Sequence, residues 1–202
     1  AQLLQHQGVD YLAVAFADEG VLLRERGITM PVVVLNADAD SFDAMAANRL
    51  EPEIYSLRSL HEFAAAVERY GEQRYPIHVK LDTGMHRLGF VEEELPALLD
   101  ALARCGRTVR VASVFAHLCT SDDPAQDDFT RLQIARFDRM SSRIAEALPY
   151  PVLRHTANSA AIERFPEAQY DMCRLGLGLY GFGFEHNAAL RPVSTCLLYT
   201  SP

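Results

Sequence analysis

Three features of the 202-residue sequence predict an α/β fold of the (β/α)8 TIM-type barrel kind, incomplete, with seven of its eight βα units. First, short β-branched or apolar runs alternate with longer amphipathic stretches along the chain, the pattern of a parallel sheet connected through helices. Second, no linker or low-complexity segment divides the series, so it reads as one domain over 1–190 with a short connection after it. Third, no G-x-G-x-x-G follows an early strand, which disfavours an open doubly wound sheet. A complete barrel has eight strands and typically about 250 residues. One strand is missing from the count and the chain opens inside a helix, so the first βα unit is expected upstream of Ala1.

Taken in order, Ala1–Gln7 reads as the tail of a helix stopped by Gly8. Tyr11–Phe16 is a short apolar run of the buried-strand kind. Asp18 and Glu19 favour the start of a helix through its dipole. Its apolar face carries Leu22 and Leu23, Arg24 and Arg26 fall in its last turn, and Gly27 stops it. Pro31–Leu35 is a β-branched strand, Asp40-Ser41 opens a helix through Asn48, and Glu53–Ser56 is a weak strand. Ser59 and Glu62 stand three apart as a capping box for a helix to about Tyr70. Ile77–Leu81 alternates with period two, and Glu92–Arg104 forms a helix whose early Pro96 is tolerated in the first turn. Val109–Phe115 is the next strand. Asp127–Leu148 is a long helix with Phe129, Leu132, Phe137, Met140 and Ile144 on one face. Val152–Arg154 is a strand before a short helix, and Asp171–Leu175 is the seventh strand.

Composition narrows the function. Apolar residues make up 49%, enough for a core, and 19 Lys+Arg against 27 Asp+Glu gives a net charge of −8 with no basic cluster. That argues against nucleic acid or an anionic membrane surface as partner. No apolar run approaches the roughly 20 residues of a membrane span, and Ala1–Gln7 lacks signal-peptide features. Cys105, Cys119, Cys173 and Cys196 are widely separated without a C-x-x-C pair, so they read as reduced thiols of a cytoplasmic protein rather than a metal site or disulfide framework.

The chemistry gathers where strands end. After the 77–81 strand, Asp82-Thr83-Gly84 breaks the chain and Arg87 comes next, a planar fork of donors just past a strand C-terminus. Ser159 and the Gly176–Gly181 segment fall in the last two such loops. A hydroxyl together with backbone N–H groups is what a phosphate dianion needs, and glycine lets the backbone approach closely. Taken singly, each has a plainer reading: a surface arginine, a glycine loop, a hydrogen-bonded structural histidine at His117.

The segments D-T-G-M-x-R-L-G (Asp82–Gly89), H-x-A-N-S-A-A (His155–Ala161) and R-x-G-L-x-L-Y-G (Arg174–Gly181) together resemble the motifs of alanine racemases. Asp10–Leu35 is similar to that family's second and third strands, and the likeness extends over about residues 8–195. The resemblance implies pyridoxal 5′-phosphate (PLP) as cofactor, alanine as small-molecule substrate, a homodimer, and D-alanine supply for peptidoglycan. It implies that Arg174 donates to the pyridine nitrogen, that Ser159, Gly176 and Leu177 hold the phosphate, and that Arg87 contacts the phenolic oxygen and the substrate carboxylate. His117 matches a histidine that stacks on the ring or supports Arg174. Lys80 matches a lysine, carbamylated in some members, that positions the arginine at Arg87; an ordinary ion pair is the equal alternative. Leu35 and Asn158 match pocket-lining residues, against apolar packing and loop capping.

The resemblance also implies two bases that no residue here matches. The Schiff-base lysine is expected about a dozen residues before Ala1, and a tyrosine from the partner subunit's C-terminal β-domain is expected beyond Pro202. The 202 residues alone are therefore expected to be inactive. Residues 191–202 read as the start of the interdomain connection, with a non-native tail from Cys196. A racemase for serine or another amino acid, and a non-catalytic PLP-binding barrel protein, are the alternatives.

Overall fold

The computed structural model describes residues 1–181. Its strands form one six-stranded sheet in sequential order: β1 (Leu12–Val14), β2 (Val32–Val34), β3 (Glu51–Ile54), β4 (Tyr75–Lys80), β5 (Val109–Phe115) and β6 (Leu153–His155). Every pairing is parallel. Between and around them lie α1 (Gln2–His6), α2 (Ala17–Glu25), α3 (Phe42–Ala47), α4 (Leu57–Arg69), α5 (Leu95–Arg104), α6 (Asp127–Ala147) and α7 (Ser159–Arg164). Because strand order never reverses, right-handed crossovers place the connecting helices on a single face. A doubly wound sheet would need a reversal point, so the sheet is part of a barrel.

The helix-bearing outer face is apolar. Val32, Val34, Ile54, Ile77, Val79, Val111 and Val114 join Phe42, Phe63, Leu60, Leu98 and Phe137 in one core. The inner face is different in kind: Glu51, Glu53, His78, Lys80, Ser113 and His155 are all buried there. A register shift creates part of this difference. Ile77 pairs with Val111, but His78 pairs with Ser113, leaving Ala112 unmatched on β5. Such a bulge reverses the in–out phase of the residues after it. Val111 and Val114 therefore both face the helices, while Ser113 and Phe115 turn inward.

Several expectations need correction. The seventh strand over 171–175 does not form; Asp171 N donates to Arg154 O and Arg174 N to Ala157 O, each 3.0 Å. Those donors are three residues apart, whereas a strand repeats every two. Six strands are thus described instead of seven. The third strand begins at Glu51 rather than Glu53. The cap of α4 is Ser56, whose hydroxyl accepts from Ser59 N at 3.1 Å, while Glu62 pairs with Arg58 instead. On α6, Leu132 is 45% exposed, and Gln133 and Ile134 occupy the buried face in its place. The expected connection and tail over 191–202 lie outside the described residues.

Candidate active site

The loop after β4 is built to present Arg87. Asp82 N donates to Phe90 O and Phe90 N to Lys80 O, both 2.9 Å, which closes the loop at its base. The Asp82 carboxylate accepts from Gly84 N at 2.9 Å and His86 N at 3.0 Å. Burial alone would raise the Asp82 pKa; the two backbone N–H groups and His86 outweigh it and hold it below the usual carboxylate value. At Gly89, with φ +128°, a Cβ would meet Asp82 N at 2.6 Å, a clash with backbone that only glycine avoids. Arg87 sits exposed at the tip, with no hydrogen-bond partner among the described residues.

Lys80, at the end of β4, points to the interior. Its ammonium lies 3.8 Å from Glu53 Oε1 and 4.4 Å from the centre of the Phe115 ring. Burial pushes Lys80 down to about 8 and Glu53 up, with each partly restoring the other's charge. The ion pair, rather than a direct contact with Arg87, is what Lys80 makes.

Arg174 comes in beside them. Its NH1 donates to His155 Nδ1 at 2.8 Å and its NH2 to Ala116 O at 2.7 Å, and its guanidinium stands 5.3 Å over Phe115. Its Nε–H has no protein acceptor among the described residues. Burial pulls Arg174 down to about 10, opposed by Glu53. His117, half-buried after β5, is held down to about 4 by burial and then by Arg174, Lys80 and Arg87, so its ring is neutral near pH 7. Three cations set against Glu53 leave this end of the sheet poised for an anion.

The phosphate-type cradle is compact. Ser159 Oγ accepts from Gly176 N and from Gly178 N, each at 3.0 Å. A Cβ on Gly176 would come within 3.9 Å of that hydroxyl. Leu177 between them is exposed. Asn158 is committed elsewhere: Nδ2 donates to Leu118 O at 2.8 Å, and Oδ1 accepts from Ser121 Oγ and from Ala161 N at the start of α7. Leu35 follows directly after β2, half-buried, its N–H on Val14 O at 3.0 Å. All of these residues lie at or beyond strand C-termini, the face where barrels of this type place their chemistry.

A family model described as alanine racemase, N-terminal domain, matches residues 1–183. The chain belongs to that family. The alanine racemase of Symbiobacterium thermophilum is 38% identical over 178 residues, covering 86% of this chain and 46% of the relative. That of Geobacillus stearothermophilus is 38% identical over 176 residues, covering 86% and 44%. Among solved structures, the alanine racemase of Clostridium difficile 630 in complex with cycloserine superposes with a TM-score of 0.86 at 30% identity, over 95% of this chain and 54% of that one. The alanine racemase from D-cycloserine-producing Streptomyces lavendulae gives 0.84 at 28%, over 95% and 52%. The chain therefore spans about half the length of the alanine racemases it matches, and its sheet is an incomplete version of their barrel.

Three groups of this site escape a sequence reading. Gly178 shares the cradle with Gly176, a position marked only by its glycine. Glu53 is the partner of Lys80, but a weak strand opening at Glu53 does not say what its acid meets across the sheet. Gln133 of α6 donates to His117 O at 3.2 Å and accepts from Cys119 N at 3.1 Å, and nothing in a helical pattern marks a buried glutamine.

Proposed function

We propose that the chain is the cofactor-holding barrel of a PLP-dependent alanine racemase, which interconverts L- and D-alanine. The observation that carries this reading is the pairing of two features at one end of the sheet. One is the Ser159 hydroxyl, on which the Gly176 and Gly178 N–H groups converge and whose own proton is left to donate. The other is the fixed guanidinium of Arg174 with its unengaged Nε–H. The residues fit the cofactor. The cradle suits a phosphate dianion, and Arg174 suits a ring nitrogen that accepts a hydrogen bond without receiving a proton. Bound PLP supplies an electron sink for the carbanion left when an amino acid loses its α-proton.

On this reading Arg174 keeps that sink moderate, because a guanidinium donates a hydrogen bond where a carboxylic acid would give up a proton. Arg87, at its exposed loop tip, binds the substrate carboxylate through charge-assisted hydrogen bonds. Neutral His117 stacks on the ring or supports Arg174, and the Lys80–Glu53 pair sets the charge beneath Arg87. Leu35 and Asn158 line the pocket, with Leu177 contributing its N–H to the phosphate. The two bases of the family match nothing here, so the 202 residues alone bind without turnover. The whole enzyme on this reading is a cytoplasmic homodimer serving peptidoglycan synthesis. Among the described residues no helix is long and apolar enough to cross a membrane.

Calorimetric titration of the chain with pyridoxine 5′-phosphate and with pyridoxine tests the reading without turnover. The phosphorylated compound should bind at least about tenfold more tightly, and Ser159→Ala should remove most of that margin, as losing a hydrogen bond to a charged group implies. Equal binding of the two compounds would refute the cradle.

A further inference from the structure

A chain of short hydrogen bonds crosses the inner face of the sheet and ends at the start of β3, away from the strand C-termini. Arg174 NH1 stands 2.8 Å from His155 Nδ1 on β6. His155 Nε2 stands 2.9 Å from Ser113 Oγ on β5, and Ser113 Oγ 2.6 Å from His78 Nδ1 on β4. His78 Nε2 completes it, 2.7 Å from Glu51 Oε2 on β3. Solvent barely reaches any of these groups: His155 is 4% exposed, Ser113 0%, His78 1% and Glu51 9%.

The groups at its two ends set the polarity of this chain when both rings are neutral. A guanidinium can only donate, so His155 Nδ1 accepts. Burial, reinforced by Arg174, holds His155 well below the usual histidine pKa. As a neutral ring it then carries its proton on Nε2 and donates to Ser113. At the far end a carboxylate can only accept, so His78 Nε2 donates to Glu51. Ser113 has one proton, and with His78 as a neutral ring the place left for it is Nδ1. Every donor therefore points from Arg174 toward Glu51. With both rings neutral, reversing any link would set two donors or two lone pairs face to face in a buried site.

Glu51 opens β3 and touches none of the groups assigned to cofactor or substrate. We infer that Glu51 is a positioning residue for Arg174, acting through His78, Ser113 and His155. Its carboxylate keeps the whole chain running one way, which holds NH1 on His155 and leaves Nε–H as the donor for a ring nitrogen. This deepens the reading proposed above and rests on it for the role of Arg174, but the chain itself can be tested without any cofactor.

The test is the imidazole nitrogen spectrum of the 15N-labelled 202-residue chain. His155 and His78 should each show a bare Nδ1 and a protonated Nε2; a proton on His155 Nδ1 overturns the inference with no variant needed. Glu51→Gln keeps the shape but can offer either oxygen or N–H to His78, so it releases the polarity at that end. It should shift the His155 Nε2–H resonance and speed exchange of the Arg174 guanidinium protons about fivefold, a size typical of coupled networks. In a Ser113→Ala background, Glu51→Gln should move neither signal, because the link is cut. Ser113→Thr, which retains a hydroxyl, should restore the wild-type spectrum and serves where Glu51→Gln does not fold. An Arg174 and His155 response that is absent, or equal with and without Ser113, refutes the role of Glu51. A cofactor reading that is wrong would instead appear in the pyridoxine phosphate titration while these spectra stayed as described.

Discussion

On the outer face of the sheet, Ile54, Ile77, Val79 and Val114 pack against helices; on the inner face, their immediate chain neighbours are Glu53, His78, Lys80 and Ser113. Both faces are dry, yet they are held by different physics. Outer-face side chains contribute through apolar area and close packing, so each acts largely on its own. Inner-face groups are tolerated in a dry interior because each has a partner: His78 has Glu51 and Ser113, Lys80 has Glu53, His155 has Ser113 and Arg174. A buried pair adds little net stability over apolar residues of the same volume, but breaking one side of it is costly. In most barrels of this type branched aliphatic residues fill the interior. Here that volume is given to polar and charged groups paired with one another.

The sharpest way to break the comparison is to remove one inner and one outer side chain from adjacent positions on β4. His78→Leu strands the Glu51 carboxylate and should cost about 3–5 kcal/mol. Ile77→Ala, on the outer face, should cost roughly 2–5 kcal/mol through lost transfer energy and a cavity. The two should differ in how they are rescued. Adding Glu51→Met to His78→Leu should recover most of the loss, since both partners are then apolar, whereas no polar change elsewhere restores Ile77→Ala. Urea unfolding midpoints of the singles and the double decide it. A double variant as unstable as His78→Leu would mean that the inner face is held by packing after all.

Acid should separate the faces next. His117 lies at about 4 against an ordinary 6.5, with burial as the first cause and the neighbouring cations after it, and His155 is also held well below that value. For a base with a depressed folded pKa, the unfolded chain binds more protons between the two values, so stability rises with pH across that window. Stability is therefore complete above about 6.5 and falls as pH drops toward 4, by at most about 3 kcal/mol for His117. Asp82 acts lower, below its ordinary 3.8. His117→Gln should flatten the curve between pH 6.5 and 4. Ile77→Ala should lower the whole curve and keep its slope. Denaturant midpoints measured across this range check both, and an unchanged slope in His117→Gln would mean that His117 is not held neutral by the fold.

The outer face was legible in the sequence, and the inner face largely was not. Val109–Phe115 and the helix from Asp127 stand where their patterns place them, because apolar periodicity records which residues meet the helices. The same pattern is silent about partners. Glu51-Pro52 carries no strand signal and Glu53 opens only a weak one, and the two acids make sense only opposite His78 and Lys80. The bulge at Ala112 is invisible in a run of small and branched residues, although it decides that Ser113 faces inward. Of the candidate site, the motif residues Arg87, Ser159, Gly176 and Arg174 stand out in the sequence because their local spacing is distinctive. Gly178, Glu53 and Gln133 were missed because each matters through a contact distant in sequence.

Gln133 provides the smallest and most local test, on a helix that otherwise serves the outer face. Its side chain is fully buried on α6, near the ends of β4 and β5. Oε1 accepts from Cys119 N at 3.1 Å, and Nε2 donates to His117 O at 3.2 Å and to Thr83 Oγ1 at 3.4 Å. One amide thus joins the loop that carries Arg87 to the loop that carries His117. Gln133→Met keeps the length and the apolar packing of α6 but leaves the Cys119 N–H and the His117 carbonyl without this partner. The loss should be roughly 1–3 kcal/mol, the cost of buried polar groups left unpaired, and it should fall on the loop more than on the helix. Hydrogen exchange at Cys119 N–H should therefore accelerate by about tenfold or more, while amides in the middle of α6 change only as far as global stability does. Uniform acceleration along α6 and the loop would show that Gln133 is an ordinary core residue, and that the helix layer has no hold on the site.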